Sequence, residues 1–167
     1  MNRRHLTSKI FLLLFSISLC CCVSVKIASD GPKKSKDISL ESPAGEFEKI
    51  KTEGADVTWL NKKNGNSISY YSECNLSNDI SLQSIQNESF SALSEVNVTN
   101  TQSATFNDRE SLQTEADAAI DGVPIKISLI IFKKNGCNYT LTYAGRKEKF
   151  AQNQPEFKKF AKEFRVN

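Results

Sequence analysis

Histidine is almost absent from the chain: the one imidazole is His5, inside a segment whose composition marks it for removal. A mature chain without it has no group for Ser-His or Cys-His catalysis and lacks the side chain that nearly all catalytic zinc sites use. No Cys-x-x-Cys pair is present, so thiol–disulfide exchange lacks its usual spacing. A membrane-spanning helix needs roughly twenty apolar residues; the longest apolar stretch, Ile10 to Leu19, is half that length. Surplus charge is lacking too. The formal net charge of +3 comes from Arg3, Arg4 and Lys9; without them the 22 basic residues become 19, equal to the 19 acids. A neutral domain exerts no overall field on nucleic acid, and no nucleic-acid partner is expected.

What is present begins with Met1–Lys9, basic and free of acids, followed by the apolar run Ile10–Leu19. This is the n-region and h-region order of a secretory signal. Arg3-Arg4 reads as a plain basic n-region, because the residues after it fit a twin-arginine signal poorly. Cys20, Cys21 and Cys22 follow side by side. As metal ligands they are badly placed, since consecutive side chains diverge and zinc sites use spaced ligands. Neither a metal site nor a cofactor is expected.

An apolar run ending on cysteine resembles the lipobox of bacterial lipoproteins, where a diacylglyceryl group is joined to the cysteine sulfur before cleavage. The pattern asks for an aliphatic residue at −3 and a small one at −1. Cys22 has Leu19 and Cys21 in those places; Cys20 has Ile17 but the bulky Leu19. The resemblance implies a signal peptide over 1–21 and acylation, palmitate included, at Cys22, with Cys20 the alternative. Several acyl chains on one residue make attachment effectively permanent, whereas one is marginal. The residues just after either candidate cysteine include no Asp, which by the same resemblance implies the periplasmic face of the outer membrane. The alternative is a soluble secreted or periplasmic protein released by an ordinary signal.

Residues 22–37 read as a tether: from Ser29 to Asp37 the chain is polar and has no large apolar side chain. Residues 38–167 suffice for a single globular domain and are too few for two. Cys74 and Cys137, an even pair in an oxidising compartment, read as one disulfide, with two buried free thiols the alternative.

Within the domain, Ile38 and Leu40 alternate with Ser39, and Ser42-Pro43-Ala44-Gly45 turns. Val57 and Trp59, then Ile68 and Tyr70, alternate on either side of Asn64-Gly65, predicting a hairpin over about 56–73. Ser77-Asn78-Asp79 offers caps for a helix over 79–93 with Leu82, Ile85, Phe90 and Leu93 on one side. Val96 and Val98 have strand character. Leu112, Thr114, Ala116, Ala118 and Ile120 share one face of a strand; Gln113, Glu115 and Asp117 share the other. Asp121-Gly122 and Asn135-Gly136 then join two further strands, carrying Ile125–Phe132 and Tyr139–Tyr143, into an antiparallel meander. Pro155 opens a helix in which Phe157, Phe160, Ala161 and Phe164 form one stripe. The expected class is α+β, an antiparallel sheet of about five to seven strands with helices on its faces.

The stretch "DGVPIKISLIIFKKNGCNYTLTYAGRKEKFAQNQPEFKKFAKEF" resembles the ending of the PsbP-like family: a long strand, a hairpin, an aromatic-rich strand and an F…F…F helix. The helix before it and the Trp59 hairpin fit the same plan, over most of residues 37–165. The resemblance implies an α/β/α sandwich and action by binding, since family members include photosystem II accessory subunits, a Ran-binding nuclear import factor and bacterial lipoproteins. It carries over no metal-binding or partner-binding residue.

The expected function is therefore a non-enzymatic, lipid-anchored envelope protein that binds another envelope component; the alternative is a binder of small or lipid-like molecules. For that ligand, Tyr70, Tyr71, Tyr139 and Tyr143 are candidates to line a groove, against ordinary cross-strand packing. Enzymatic work would fall to Asp117 with Asp121, or Glu115 with Asp117, although strand faces and turns leave carboxylates exposed. Between Arg146 and Arg165 bases outnumber acids, so this end is basic, either as a solvated helix face or as a contact for anionic lipid or glycan. Sequons at Asn75, Asn87, Asn97 and Asn138 are incidental in a bacterial protein. Oligomeric state is not encoded in any of these patterns.

Overall fold

The computed structural model describes residues 33–74 and 79–167. The leader, Cys20 to Cys22, Asn75 and the proposed caps Ser77 and Asn78 lie outside these residues. Seven strands form one antiparallel sheet: β2 (Phe47–Ile50), β3 (Val57–Asn61), β4 (Ser67–Cys74), β5 (Ser94–Phe106), β6 (Arg109–Ile120), β7 (Val123–Lys134) and β8 (Cys137–Arg146). Their order across the sheet is β2-β3-β4-β8-β7-β6-β5. A separate two-stranded ribbon pairs β1 (Ile38–Ser39) with β9 (Arg165–Val166). Helix α1 (Leu82–Ser89) and helix α2 (Gln154–Glu163) complete the α+β fold.

The meander is longer than the apolar pattern predicts. Its turns need the left-handed backbone that Asn, Asp and Gly tolerate: Asp121 and Gly122 have φ of 50° and 76°, Asn135 and Gly136 of 53° and 72°. A third such turn, Asn107-Asp108 with φ of 50° and 60°, joins β5 to β6. Strand alternation then sorts the side chains. Ile127, Leu129 and Ile131 of β7, with Ala116 of β6, face Ile85 of α1 and Phe90 at its C-cap. On the opposite face Phe132, Tyr139, Leu141 and Tyr143 join Trp59 and Ile68 beneath Phe157, Phe160 and Phe164. Helices thus cover both faces, and full burial of each large apolar side chain stabilises the fold by about 1.5–3 kcal/mol.

Helix α1 is shorter than the predicted 79–93, and its cap is Ser81, whose Oγ accepts from Ser84 N at 3.0 Å. Asp79 is instead engaged by the Lys133 ammonium. Cys74 and Cys137 are disulfide-bonded; they stand opposite each other in the β4–β8 register with Cα atoms 4.0 Å apart. The segment before β1 is held to the sheet. Lys33 O accepts from Cys74 N at 2.8 Å, Ser35 N donates to Ser72 Oγ at 2.9 Å, and Lys34 Nζ lies 2.9 Å from Asp56 Oδ1. Ser72 Oγ in turn donates to Asp56 Oδ2 at 2.5 Å, and Tyr139 donates its hydroxyl proton to Ser35 Oγ at 2.9 Å.

Candidate functional site

Helix α2 is seated over β3, β4 and β8 by its phenylalanine stripe. Phe160 meets Trp59 edge-on at 5.4 Å between ring centroids, Phe157 stacks on Tyr143 at 5.5 Å, and Phe164 meets Tyr70 at 5.4 Å. The same face of β6 and β5 therefore extends beyond the helix, and a step is left between the two. A groove of about 450 Å³ fills it. Phe106, Ile130, Phe157 and Ala161 make its floor; Asn100, Gln102 and Gln113 stand on the sheet side, and Gln154, Lys158 and Lys162 on the helix side. Lys158 and Lys162 are one helical turn apart, so both ammonium stems rise along the same edge.

Glu115 sits within this groove. Its carboxylate accepts from Gln154 Nε2 at 2.9 Å and pairs with Lys126 Nζ at 3.4 Å. Asp117, two residues on along the same face, pairs with Lys147 Nζ at 2.8 Å. Asp121 lies apart in the exposed β6–β7 turn. The carboxylates singled out from sequence each have a separate place, and the two on β6 each have a separate lysine.

A second depression of about 490 Å³ continues the groove past Phe106, sharing Phe106, Ala161 and Lys162 with it. Lys134 and Arg165 flank this end, and Asp108 is the acid that lines it. The hairpin tip is locked here: Asn107 Nδ2 donates to Phe164 O at 3.1 Å while its Oδ1 accepts from Val166 N at 2.8 Å. The trough is thus built between a fixed strand pair and a helix anchored by aromatic packing. Rigid elements of this kind hold binding groups in place without an ordering cost at each encounter.

The tyrosines proposed as groove lining do not gather there. Tyr139 and Tyr143 are buried in the core and Tyr70 packs beside them. Burial raises the pKa of all three; for Tyr143 it is pushed up to about 12, and its hydroxyl donates to Phe150 O in the interior. Tyr71 points to the other face, where it lines a hollow of about 340 Å³ beside α1 with Glu73, Glu88 and Thr142. The strand period separates Tyr70 from Tyr71 at once, but which face carries a helix is a tertiary fact. Asn138, one of the sequons, is buried.

Sequence reasoning singled out the lysines of α2 but missed Asn100, Gln102, Gln113 and Gln154. Their signal is faint: β5 alternates amides on one side where a covered strand would alternate apolar residues. Among the described residues no group of His, Cys, Asp and Glu is arranged to hold a metal ion. No helix among them is long and apolar enough to cross a membrane.

No protein-family model matches the chain, and no curated protein is similar to it in sequence. Solved structures do resemble it in shape. The solution structure of cyanobacterial PsbP (CyanoP) from Synechocystis sp. PCC 6803 is 12% identical, with a TM-score of 0.57 over 89% of this chain and 99% of that one. The crystal structure of LpqN, a Mycobacterium tuberculosis protein involved in cell envelope biogenesis, is 10% identical with a TM-score of 0.61, covering 84% of this chain and 87% of the other. At such identities the likeness is one of fold, and the fold is PsbP-like.

Proposed function

We propose that this chain is an exported, lipid-anchored envelope protein that acts by binding, not catalysis, and that its trough between α2 and the β5–β6 pair receives a second envelope component. The carrying observation is the step itself: β5 and β6 run past the covering helix and leave a long, rigid recess edged with amides and ammonium groups. The address comes from the leader and from acylation at Cys22, or alternatively Cys20, with the periplasmic face of the outer membrane as destination. A structural neighbour involved in envelope biogenesis is consistent with that setting. Glu115 and Asp117, each neutralised by a lysine, support a binding role over acid–base work. The apolar floor of Phe106, Ile130 and Phe157 keeps a lipid-like small molecule as the second reading.

Site-specific photocrosslinking in growing cells tests the reading. A photoreactive residue at Gln102, on the trough wall, is expected to capture a discrete envelope component. The same residue at Lys159, exposed on the outer side of α2, is expected to capture none. Equal capture at both positions, or none at Gln102, contradicts it.

A further inference from the structure

We propose that the trough takes the headgroup of an anionic glycolipid, with the charged groups of that headgroup at the Lys134–Lys162–Arg165 end and its sugar at the amide end. The inference rests on the lipid-anchored reading above, which decides the end of the domain that meets the membrane. Lys33, where the described chain begins, pairs with Cys74; Cys74 stands opposite Cys137, and Cys137 opposite Lys134. The β5–β6 tip, where Phe106 pairs with Arg109, lies at the same end of the sheet. Lys33 and the cationic mouth of the trough therefore share one end of the domain, four strands apart, a distance on the order of 20 Å at the usual strand spacing.

The chemistry along the trough is ordered. Nearest that end are Lys134, Lys162 and Arg165, none of them in an ion pair among the described residues, with Asp108 and the last residue, Asn167, lining the same depression. Arg165 gives one guanidinium donor to Phe164 O at 2.8 Å and keeps the others; ammonium and guanidinium groups outside an ion pair are the donors that phosphate or carboxylate oxygens accept from most strongly. Farther in stand Asn100, Gln102, Gln113 and Gln154, with Lys158 between. An amide donates and accepts at once, as a sugar hydroxyl does, so a row of amides suits a polyhydroxylated chain better than a hydrocarbon one. The floor of Phe106, Ile130 and Phe157 offers an apolar surface for the C–H side of a sugar ring. From Asn100 to Phe106 the wall runs for roughly 20 Å, the length of an extended headgroup and not of a single small ion. A plain phospholipid would leave the amides without partners, and a neutral sugar would leave the cations without theirs. A lipid whose acidic groups lie next to its tails and whose sugars lie beyond them satisfies both, in the order the trough presents.

Native mass spectrometry of the full chain in an uncharged detergent tests this, whether or not the chain carries its own acyl groups. The probes are Kdo2-lipid A, an acidic phosphorylated glycolipid; phosphatidylglycerol, charged without sugar; digalactosyldiacylglycerol, sugar without charge; and inorganic phosphate. Kdo2-lipid A is expected to bind one-to-one and at least about tenfold more tightly than the other three. Lys134→Gln with Lys162→Gln should weaken it by about tenfold or more, the loss of charge-assisted hydrogen bonds at the mouth. Gln102→Ala with Gln113→Ala should bring its affinity down to that of phosphatidylglycerol. Both pairs lie at side chains outside the core, so the folded chain remains available for measurement. Equal binding of phosphatidylglycerol, or of the neutral glycolipid, or indifference to both pairs of substitutions, overturns the proposal. If Kdo2-lipid A does not bind while the Gln102 crosslink captures an envelope protein, the glycolipid is excluded and the binding role stands.

Discussion

Gly145 on β8 has no Cβ where one would strike the Asn66 side chain, lying within contact of its Oδ1 and 2.8 Å from its Cγ. The close approach belongs to a cluster of amides: Asn153 Oδ1 accepts from Asn64 Nδ2 at 2.6 Å, Asn66 Nδ2 at 2.9 Å and Asn61 Nδ2 at 3.4 Å. Asn66 also donates to Lys149 O at 3.0 Å, so the β3–β4 turn is tied to the start of α2. Gly145→Ala should therefore cost about 2 kcal/mol by overpacking, and much less when Asn66 is already alanine, which a double-mutant cycle by chemical denaturation reads directly. None of this is visible in the sequence, where Asn64-Gly65 signals a turn but not what the turn binds. The same residue scale carries a pH dependence. The unfolded chain releases the Tyr143 proton near the ordinary value of 10.0, while the folded one keeps it to about 12. Stability from this group is intact below pH 10 and declines as pH rises between the two values, by roughly 3 kcal/mol at most. Tyr143→Phe, measured by urea denaturation across that range, should flatten the decline; an unchanged slope would contradict the assignment.

Strands β6, β7 and β8 were legible because each buries residues of regular alternation and an Asp-Gly or Asn-Gly turn joins each to the next. Strand β5 was legible only at Val96 and Val98. From Thr99 to Ser103 it is exposed and polar, and it is strand because β6 pairs with it, with register shifts near Asn97 and Thr99. Such irregularities bend an edge and blunt its pairing with other chains. Strand β2 escaped notice because Phe47 and Ile50 are half-buried at the sheet's other edge and show no alternation. Helix α2 was read correctly from its stripe, yet its width relative to the sheet, which creates the trough, has no signature in a periodicity. The cross-strand disulfide was anticipated as a pair from parity and compartment, and its position now gives it a role: it closes 63 residues of sequence between β4 and β8 beside Lys33. Reduction should lower stability by on the order of 4 kcal/mol at most in the chain-entropy account. Urea denaturation with and without reductant checks this, and a loss below a few tenths of a kcal/mol would show that the sheet needs no staple.

At the scale of the whole molecule, two sources of information divide the account. The leader, short apolar run and adjacent cysteines carry the proposed address, and they are local features that a sequence displays without folding. The site is the reverse: amides on β5 and β6, lysines on β7 and α2 and phenylalanines from β5 and α2 meet only once the sheet has its order. The proposed binding role needs both, because the trough's mouth gains a partner only if the chain before Lys33 leads to a membrane. The most direct test is the intact mass of the chain extracted from cell envelopes. The account predicts a polypeptide beginning at Cys22, heavier by a diacylglyceryl group and acyl chain, and lighter by the two hydrogens lost when Cys74 and Cys137 join. An unmodified polypeptide that still carries Met1 through Cys22 would contradict it.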